Sequence, residues 1–294
     1  MVTEERLWEA QPRQREFLHR EEDEVLYGGA AGGGKTDALL VYGITRAIRY
    51  PGSRHLFMRR TFKDLSQPGA AIDRSRQLLT DVARWRATEY RWEFPEHEGS
   101  VLSFAHLENV SDMYNYQGAQ LDTLLIDELT QFPEEPYQFM RSRVRATVSG
   151  IKPTIRGATN PGGIGHGWVR RRWIDAAPWG RPFEIRSESG EAMSTGCFIP
   201  ARVSDNQRLL ERDPGYANRL EGLPEHLRRA YLDGDWDIFA GQVFTEWRRE
   251  KHVVRAFTVP RDWPRWMGVD FGYGAPWCAL WLTRAPAGRV YVYR

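Results

Sequence analysis

A chain of 294 residues that is 41% hydrophobic and 27% charged has the composition of an ordinary globular protein, with room for one large core or two modest ones. Its 41 basic and 39 acidic residues nearly cancel, and a net charge of +2 neither requires nor excludes a nucleic-acid partner. The two cysteines, Cys197 and Cys278, lie too far apart for a disulfide framework or a zinc site, and no apolar run approaches the roughly 20 residues of a membrane span.

The first 17 residues are charged and lack the apolar stretch of a secretory signal, so a soluble, cytoplasmic-type protein is expected. Glu24–Tyr27 reads as a short strand running into a glycine-rich loop, and Thr36–Arg49 as the helix after it. His55–Arg59 is a second strand. Ala71–Thr88 carries apolar residues at near-helical spacing. Val101–His106, Thr123–Ile126 and Thr154–Ala158 read as further strands. Strands separated by helices imply an α/β fold, with a mostly parallel sheet flanked by helices. After residue 180 the pattern loosens. Leu209–Leu232 holds two helices broken by Pro214 and Pro224, 241–264 reads as a linker with a short strand pair, Trp266–Asp270 opens a strand, and Pro276–Leu282 with Val290–Tyr293 suggests a hairpin.

Three motifs carry chemistry. Residues 29–36 (GAAGGGKT) match the phosphate loop G-x-x-x-x-G-K-[ST], set between a strand and a helix as its function requires. Gly29, Ala30, Ala31, Gly32, Gly33 and Gly34 can turn successive N–H groups toward phosphates, and the helix N-terminus, with Asp37 in its first turn, adds its dipole. Lys35 is expected to reach the β- and γ-phosphates of ATP, and Thr36 to ligate Mg2+. Residues 122–131 (DTLLIDELTQ) form an apolar strand ending in two acids. Asp127 suits the Mg2+ shell and Glu128 the general base that activates water, which favours hydrolysis over nucleotide binding alone. Residues 154–163 (TIRGATNPGG) end a strand on Thr159 and Asn160, candidate sensors of the γ-phosphate at the carboxyl edge where open parallel sheets bind ligands. Strand 55–59, lying between the first two motifs in sequence, fits the additional-strand, catalytic-glutamate class of P-loop NTPases.

In this order the motifs resemble the large terminase subunits of tailed bacteriophages. So do PRQREFL (12–18), MRRTFKDL (58–65), the stretch 116–132, FMRSRVR (139–145), GQVFTEW (241–247) and WMGVDFGYG (266–274), so that the resemblance spans essentially the whole chain. It implies an ATPase that drives double-stranded DNA into a procapsid in the host cytoplasm and is absent from the mature virion. The expected assembly is a homo-oligomeric ring on the portal protein with a small terminase subunit, monomeric in isolation and without a membrane partner. It further implies that Gln14 contacts adenine, and that a neighbour supplies an arginine finger. Gln117 stands where some members carry that arginine, leaving Arg141, Arg143 and Arg145 as candidates, with Arg59 and Arg60 behind them. The expected domains are a P-loop ATPase core (1–180), a helical lid and linker (181–240), and a linker with the first strands of an RNase H-like nuclease (241–294). Asp270 resembles the first metal ligand of that nuclease, but no Asp or Glu follows it, so DNA cleavage by this chain is not expected. A helicase-like ATPase and a nucleotide-gated, non-hydrolysing assembly component are the alternatives.

The seven histidines show no paired spacing. The stretch 166–180 mixes Trp168, Trp173 and Trp179 with Arg170, Arg171 and Arg172, which suits contact with DNA or a neighbouring subunit but fits a helix with buried tryptophans and solvated arginines better.

Overall fold

The computed structural model describes residues 8–187, 189–237, 249–271 and 277–294, and the chain divides into two units, 1–245 and 246–294.

The first unit is built on a nine-stranded sheet. Its strands are β1 (Glu24–Gly29), β2 (Arg54–Arg59), β3 (Arg84–Arg86), β4 (Arg91–Phe94), β5 (Ser100–His106), β6 (Thr123–Ile126), β7 (Thr154–Thr159), β8 (Phe183–Arg186) and β9 (Ala192–Ala201), in the order β3-β4-β5-β2-β6-β7-β1-β9-β8. The six strands from β5 to β9 in that order are parallel, and the outer β3, β4 and β8 run antiparallel. All residues of β1, β6 and β7 are buried, as expected of strands covered on both faces.

Alternation along these strands splits the core in two. Tyr27 and Phe57 face one side with Phe17 and Leu39, from the helices α1 (Pro12–Leu18) and α2 (Lys35–Arg49). Leu26, Met58 and Ile126 face the other, with Tyr137, Trp168 and Trp173. Helix α2 stops at Tyr50 because Pro51 disfavours helical backbone at the residue before it, and Arg46 and Arg49 lie in its last turn, where cations suit the dipole.

Three expectations are corrected. The helix expected over 71–88 is broken. After α3 (Phe62–Ser66), α4 runs only from Ala71 to Leu79, and Arg84–Arg86 turns into a strand because Trp85 pairs across the ladder with Trp92, their rings 5.2 Å apart. The strand inserted between β1 and β6 is β7, not the 55–59 strand, which lies on the far side of β6. The sheet also continues past residue 180, since β9 pairs with β1 along its whole length from Glu24↔Gly196 to Gly29↔Ala201.

Beyond β6, α5 spans Glu134–Arg141 and α6 spans His166–Val169, passing into a π-helical turn over Arg170–Ile174. The region expected to hold two helices contains three short ones, α7 (Gln207–Arg212), α8 (Tyr216–Glu221) and α9 (Glu225–Arg228), with a π-helical turn to Asp233, because the chain breaks at Gly222 before Pro224 as well as at Asp213 before Pro214.

The second unit holds a short helix, Arg249–His252, and a three-stranded antiparallel sheet of β10 (Arg265–Asp270), β11 (Cys278–Arg284) and β12 (Val290–Val292). The expected hairpin is the β11–β12 pair. Residues 241–247 and 272–274 of the resemblance lie outside the described residues.

Candidate active site

Parallel register gathers the three motifs at one edge of the sheet. Gly28 lies opposite Thr159, Ile126 opposite Gly157, and Met58 opposite Ile126, so the residues that follow β1, β6 and β2 emerge side by side. That edge is the carboxyl one, where an open parallel sheet offers its loops to a ligand.

The loop after β1 is shaped by glycine. Gly29 adopts φ +130° and a Cβ there would collide with the Ala201 carbonyl; Gly34 adopts φ +68°, and its Cβ would collide with the Gln14 amide. Four of the loop carbonyls are held from outside its own backbone ladder. The Tyr27 hydroxyl donates to Gly33 O at 3.0 Å, Asn206 Nδ2 to Gly32 O at 2.6 Å, Gln14 Nε2 to Gly34 O at 2.8 Å and Lys35 Nζ to Ala30 O at 2.5 Å. Among the N–H groups, Ala30 donates to Ala201 O and Ala31 to Tyr231 O. Lys35 is buried, and burial pushes its ammonium down while the nearby Glu128 and Asp127 oppose that shift.

Thr36 Oγ1 donates to Asp127 Oδ2 at 2.8 Å, joining the first two motifs. Arg59, at the end of β2, donates to the same oxygen through Nε at 2.9 Å and Nη2 at 2.5 Å, and through Nη2 to Thr36 Oγ1 at 3.3 Å. Asp127 is 1% exposed, so this guanidinium neutralises a buried carboxylate. Burial works against the Arg59 charge, but Asp127 outweighs it and holds the arginine above its ordinary pKa.

Glu128 sits in the left-handed region at φ 55°, ψ 46°. A non-glycine residue held there costs on the order of 1–3 kcal/mol and is found where the surrounding structure enforces it. Burial, then the Asp127 charge, raises the Glu128 carboxyl above the usual range. Beside Glu128 is a cavity of about 60 Å³, bordered by Asn160 and by Ala230 and Tyr231 after α9, with room for a few waters. Thr159 Oγ1 lies 2.7 Å from Thr130 Oγ1 and accepts from Thr130 N at 3.1 Å, while Asn160 Oδ1 is buried with no hydrogen-bond partner among the described residues. These are the groups of a phosphate-transfer site, with a cradle, a lysine, a hydroxyl–carboxylate pair, a second acid and a polar turn.

The sequence matches the family model described as terminase large subunit, T4likevirus-type, N-terminal, over residues 26–250, most of the chain. The chain belongs to the terminase large-subunit family.

It is accordingly a terminase ATPase domain, an ATP-binding and ATP-hydrolysing enzyme. Its fold is similar to that of the large terminase of a thermophilic bacteriophage solved with ADP, at 17% identity and a TM-score of 0.61, covering 97% of this chain and 68% of that one. The large terminase ATPase domain of Thermus phage P74-26 matches at 15% identity and a TM-score of 0.52, over 78% of this chain and 94% of that one. The packaging motor assembly of bacteriophage phi29 matches at 15% identity and a TM-score of 0.51, over 95% and 78%. None of the curated proteins matches this terminase chain in sequence. Among the described residues no helix is long and apolar enough to cross a membrane.

The remaining candidates of this terminase domain are scattered. Asp37 is paired with Arg74, whose Nε lies 2.9 Å from its Oδ1. Gln14 is 3% exposed and also accepts from Gln11 N through Oε1 at 2.9 Å, so it braces the loop from beneath. Arg141 lies at the opposite edge of the sheet, donating through Nε to Glu24 Oε1 at 2.6 Å; Glu24 starts β1, and the phosphate loop leaves its other end. Arg143 donates to Gln117 O at 2.7 Å and covers the Phe139 ring, and Arg145 is exposed just beyond it. Arg59 is bound to Asp127 within its own chain, which sets it apart from the finger candidates. Asp270 ends β10, and no group of three or more His, Cys, Asp or Glu among the described residues gathers into a metal site.

Two contributors escaped the sequence reading. Arg59, which the resemblance offers only as a finger candidate, binds Asp127 from the end of β2 beside β6, and that strand-end position is its sequence signal. His166 accepts from Gly162 N through Nδ1 at 2.9 Å and lies 3.1 Å from Trp236 O through Nε2, so it is the neutral tautomer, and burial keeps its pKa low. It ties the Asn160–Gly163 turn to the segment after α9, and no sequence spacing announces that.

Proposed function

We propose that this chain is the ATPase of a DNA-packaging motor of the additional-strand, catalytic-glutamate class, and that Lys35, Thr36, Asp127 and Glu128 carry the chemistry. The carrying observation is the convergence of Thr36 Oγ1 and Asp127 Oδ2 at 2.8 Å, with Glu128 next to them and Lys35 in the loop above. The strand β7 inserted between β1 and β6 supports the class.

The hydroxyl and carboxylate oxygens fit Mg2+, a hard cation that takes few protein ligands beside substrate phosphates, and the Arg59 guanidinium already stands in for a cation on both. When bound, the ion neutralises charge on the β- and γ-phosphates. Lys35 leaves the Ala30 carbonyl to reach the same phosphates. The Glu128 carboxylate takes a proton from water, the water oxygen forms the new bond to the γ-phosphorus, and the bond to the ADP oxygen breaks. Thr159 and Asn160, with Thr130, register the departing phosphate, and the His166 link and the Ala31–Tyr231 bond pass the change to helices α7–α9, which act as a lid. Gln14 retains one N–H with which to meet adenine.

The partners proposed are double-stranded DNA, a portal, a small terminase subunit and further copies of this chain in a ring, with Arg143 or Arg145 the better-placed finger because Arg141 is held by Glu24. The domains proposed are the core, a lid within 181–240, and the start of an RNase H-like unit carrying Asp270. ATP hydrolysis measured against chain concentration, with and without duplex DNA, tests this reading. Turnover that rises faster than linearly and is stimulated by duplex supports a ring motor; linear turnover indifferent to DNA contradicts it.

A further inference from the structure

At the edge of the sheet opposite the phosphate loop lies a cavity of about 550 Å³ between the end of α1, the last turns of α2 and the start of β7. Five cations border it, namely Arg20, Arg46, Arg49, Lys152 and Arg156, against one exposed acid, Glu21, with His19 beside it. Arg20 is paired with Glu16 and Glu22, and Lys152 with Asp23. Arg46 and Arg156 are different. They are 9% and 0% exposed, and among the described residues neither has a carboxylate within ion-pair distance.

Their hydrogen bonds go only to neutral oxygens. Arg46 donates to Thr123 Oγ1 at 2.7 Å and Lys152 O at 2.5 Å, and Arg156 to Glu22 O at 3.0 Å and Arg20 O at 2.8 Å. Arg156 Nε is buried with no hydrogen-bond partner among the described residues. Both guanidiniums stack on Tyr42, at 5.7 and 4.6 Å from the ring centroid, and Arg49 lies over Tyr50. A buried charge is unfavourable unless paired, and two guanidiniums about one ring repel each other; Glu22 and Asp23 act on Arg156 only from beyond ion-pair distance, so the pair lacks a direct counter-anion. Arginine forks match the oxygens of phosphate.

We propose that this cavity is a second anion site, built to take a phosphate group. It is independent of the nucleotide in the phosphate loop and is tested with that loop filled. The chain, saturated with Mg-ADP as verified by bound-nucleotide analysis, is titrated with inorganic pyrophosphate in a calorimeter. One pyrophosphate per chain is expected, weakened at least tenfold in Arg46→Met. Should that variant fold poorly, the rim pair Arg49→Ala and Lys152→Ala replaces it, with the same weakening expected. Anisotropy of a labelled 20-base-pair duplex against salt then identifies the source. If the substitutions also lower duplex affinity and reduce the salt slope by about one, the phosphate belongs to a nucleic-acid backbone; if duplex binding is untouched, the ligand is a free phosphate. Absence of pyrophosphate binding, or binding that both sets of substitutions leave unchanged, overturns the proposal whatever the duplex does.

Discussion

Arg59 shows how one side chain can set the resting state of a nucleotide site. Its guanidinium holds Asp127 Oδ2 and touches Thr36 Oγ1, the two oxygens proposed to hold the metal, and on that proposal cation and arginine compete for one position. Removing it leaves a carboxylate that is 1% exposed without its counter-charge, a change that typically costs about 3–5 kcal/mol. Arg59→Ala is therefore expected to lower the melting temperature of the nucleotide-free chain, and Mg2+ is expected to restore more of that loss than it adds to the wild type, since the ion then meets a vacated site. Equal Mg2+ stabilisation of both chains would show that the arginine and the ion do not share the position. The sequence disclosed the residue types of this site because the phosphate loop and the acidic strand end are fixed by chemistry at fixed spacing. It did not disclose Arg59 as the partner of Asp127, because that contact depends on the order of strands in the sheet.

The elements were legible where periodicity and punctuation agreed, as in α2 between Gly34 and Pro51 or the buried run of β6. They were not legible where tertiary pairing overrode local pattern. The Trp85–Trp92 contact turns the tail of an apparent helix into strand, and β9, with small residues such as Gly196 and Cys197, gains its identity only from lying against β1. The tryptophan–arginine stretch over 166–180 resolved mostly toward packing. Trp168 and Trp173 are buried and Arg172 is paired with Glu24, while Arg171 and Trp179 stay exposed. Glu24, at the start of β1, ties that stretch to its neighbours, receiving Arg141, Arg172, the Tyr137 hydroxyl and Ser194. Glu24→Gln removes the counter-charge of two partly buried arginines and is expected to destabilise the fold by about 3 kcal/mol in denaturant titration, while leaving ATP turnover per folded chain unchanged. A large loss of turnover at full folding would place this cluster in the catalytic cycle instead.

Across the whole molecule, stability carries a histidine signature. His55 is buried against Ser53, and burial, then the Arg46 charge, lowers its pKa to about 3. The folded chain keeps this ring neutral, whereas the unfolded chain protonates it near pH 6.5. Its stability contribution is thus fully present above about pH 6.5 and is lost as pH falls toward 3, at about 1.4 kcal/mol per unit. Unfolding free energy measured from pH 7 to pH 4 should fall more steeply for the wild type than for His55→Gln; parallel curves would refute the assignment. The nucleotide site and the family match support the proposed ATP-driven motor, whose chemistry we assign to the carboxylate held in left-handed backbone beside Asp127. The most direct test is single-turnover ATP hydrolysis by Glu128→Gln beside the wild type, with ATP affinity measured in parallel. Unchanged affinity with hydrolysis slowed by about 10²-fold or more, the range of a general base, is the predicted result; hydrolysis at the wild-type rate would mean that another group activates the water.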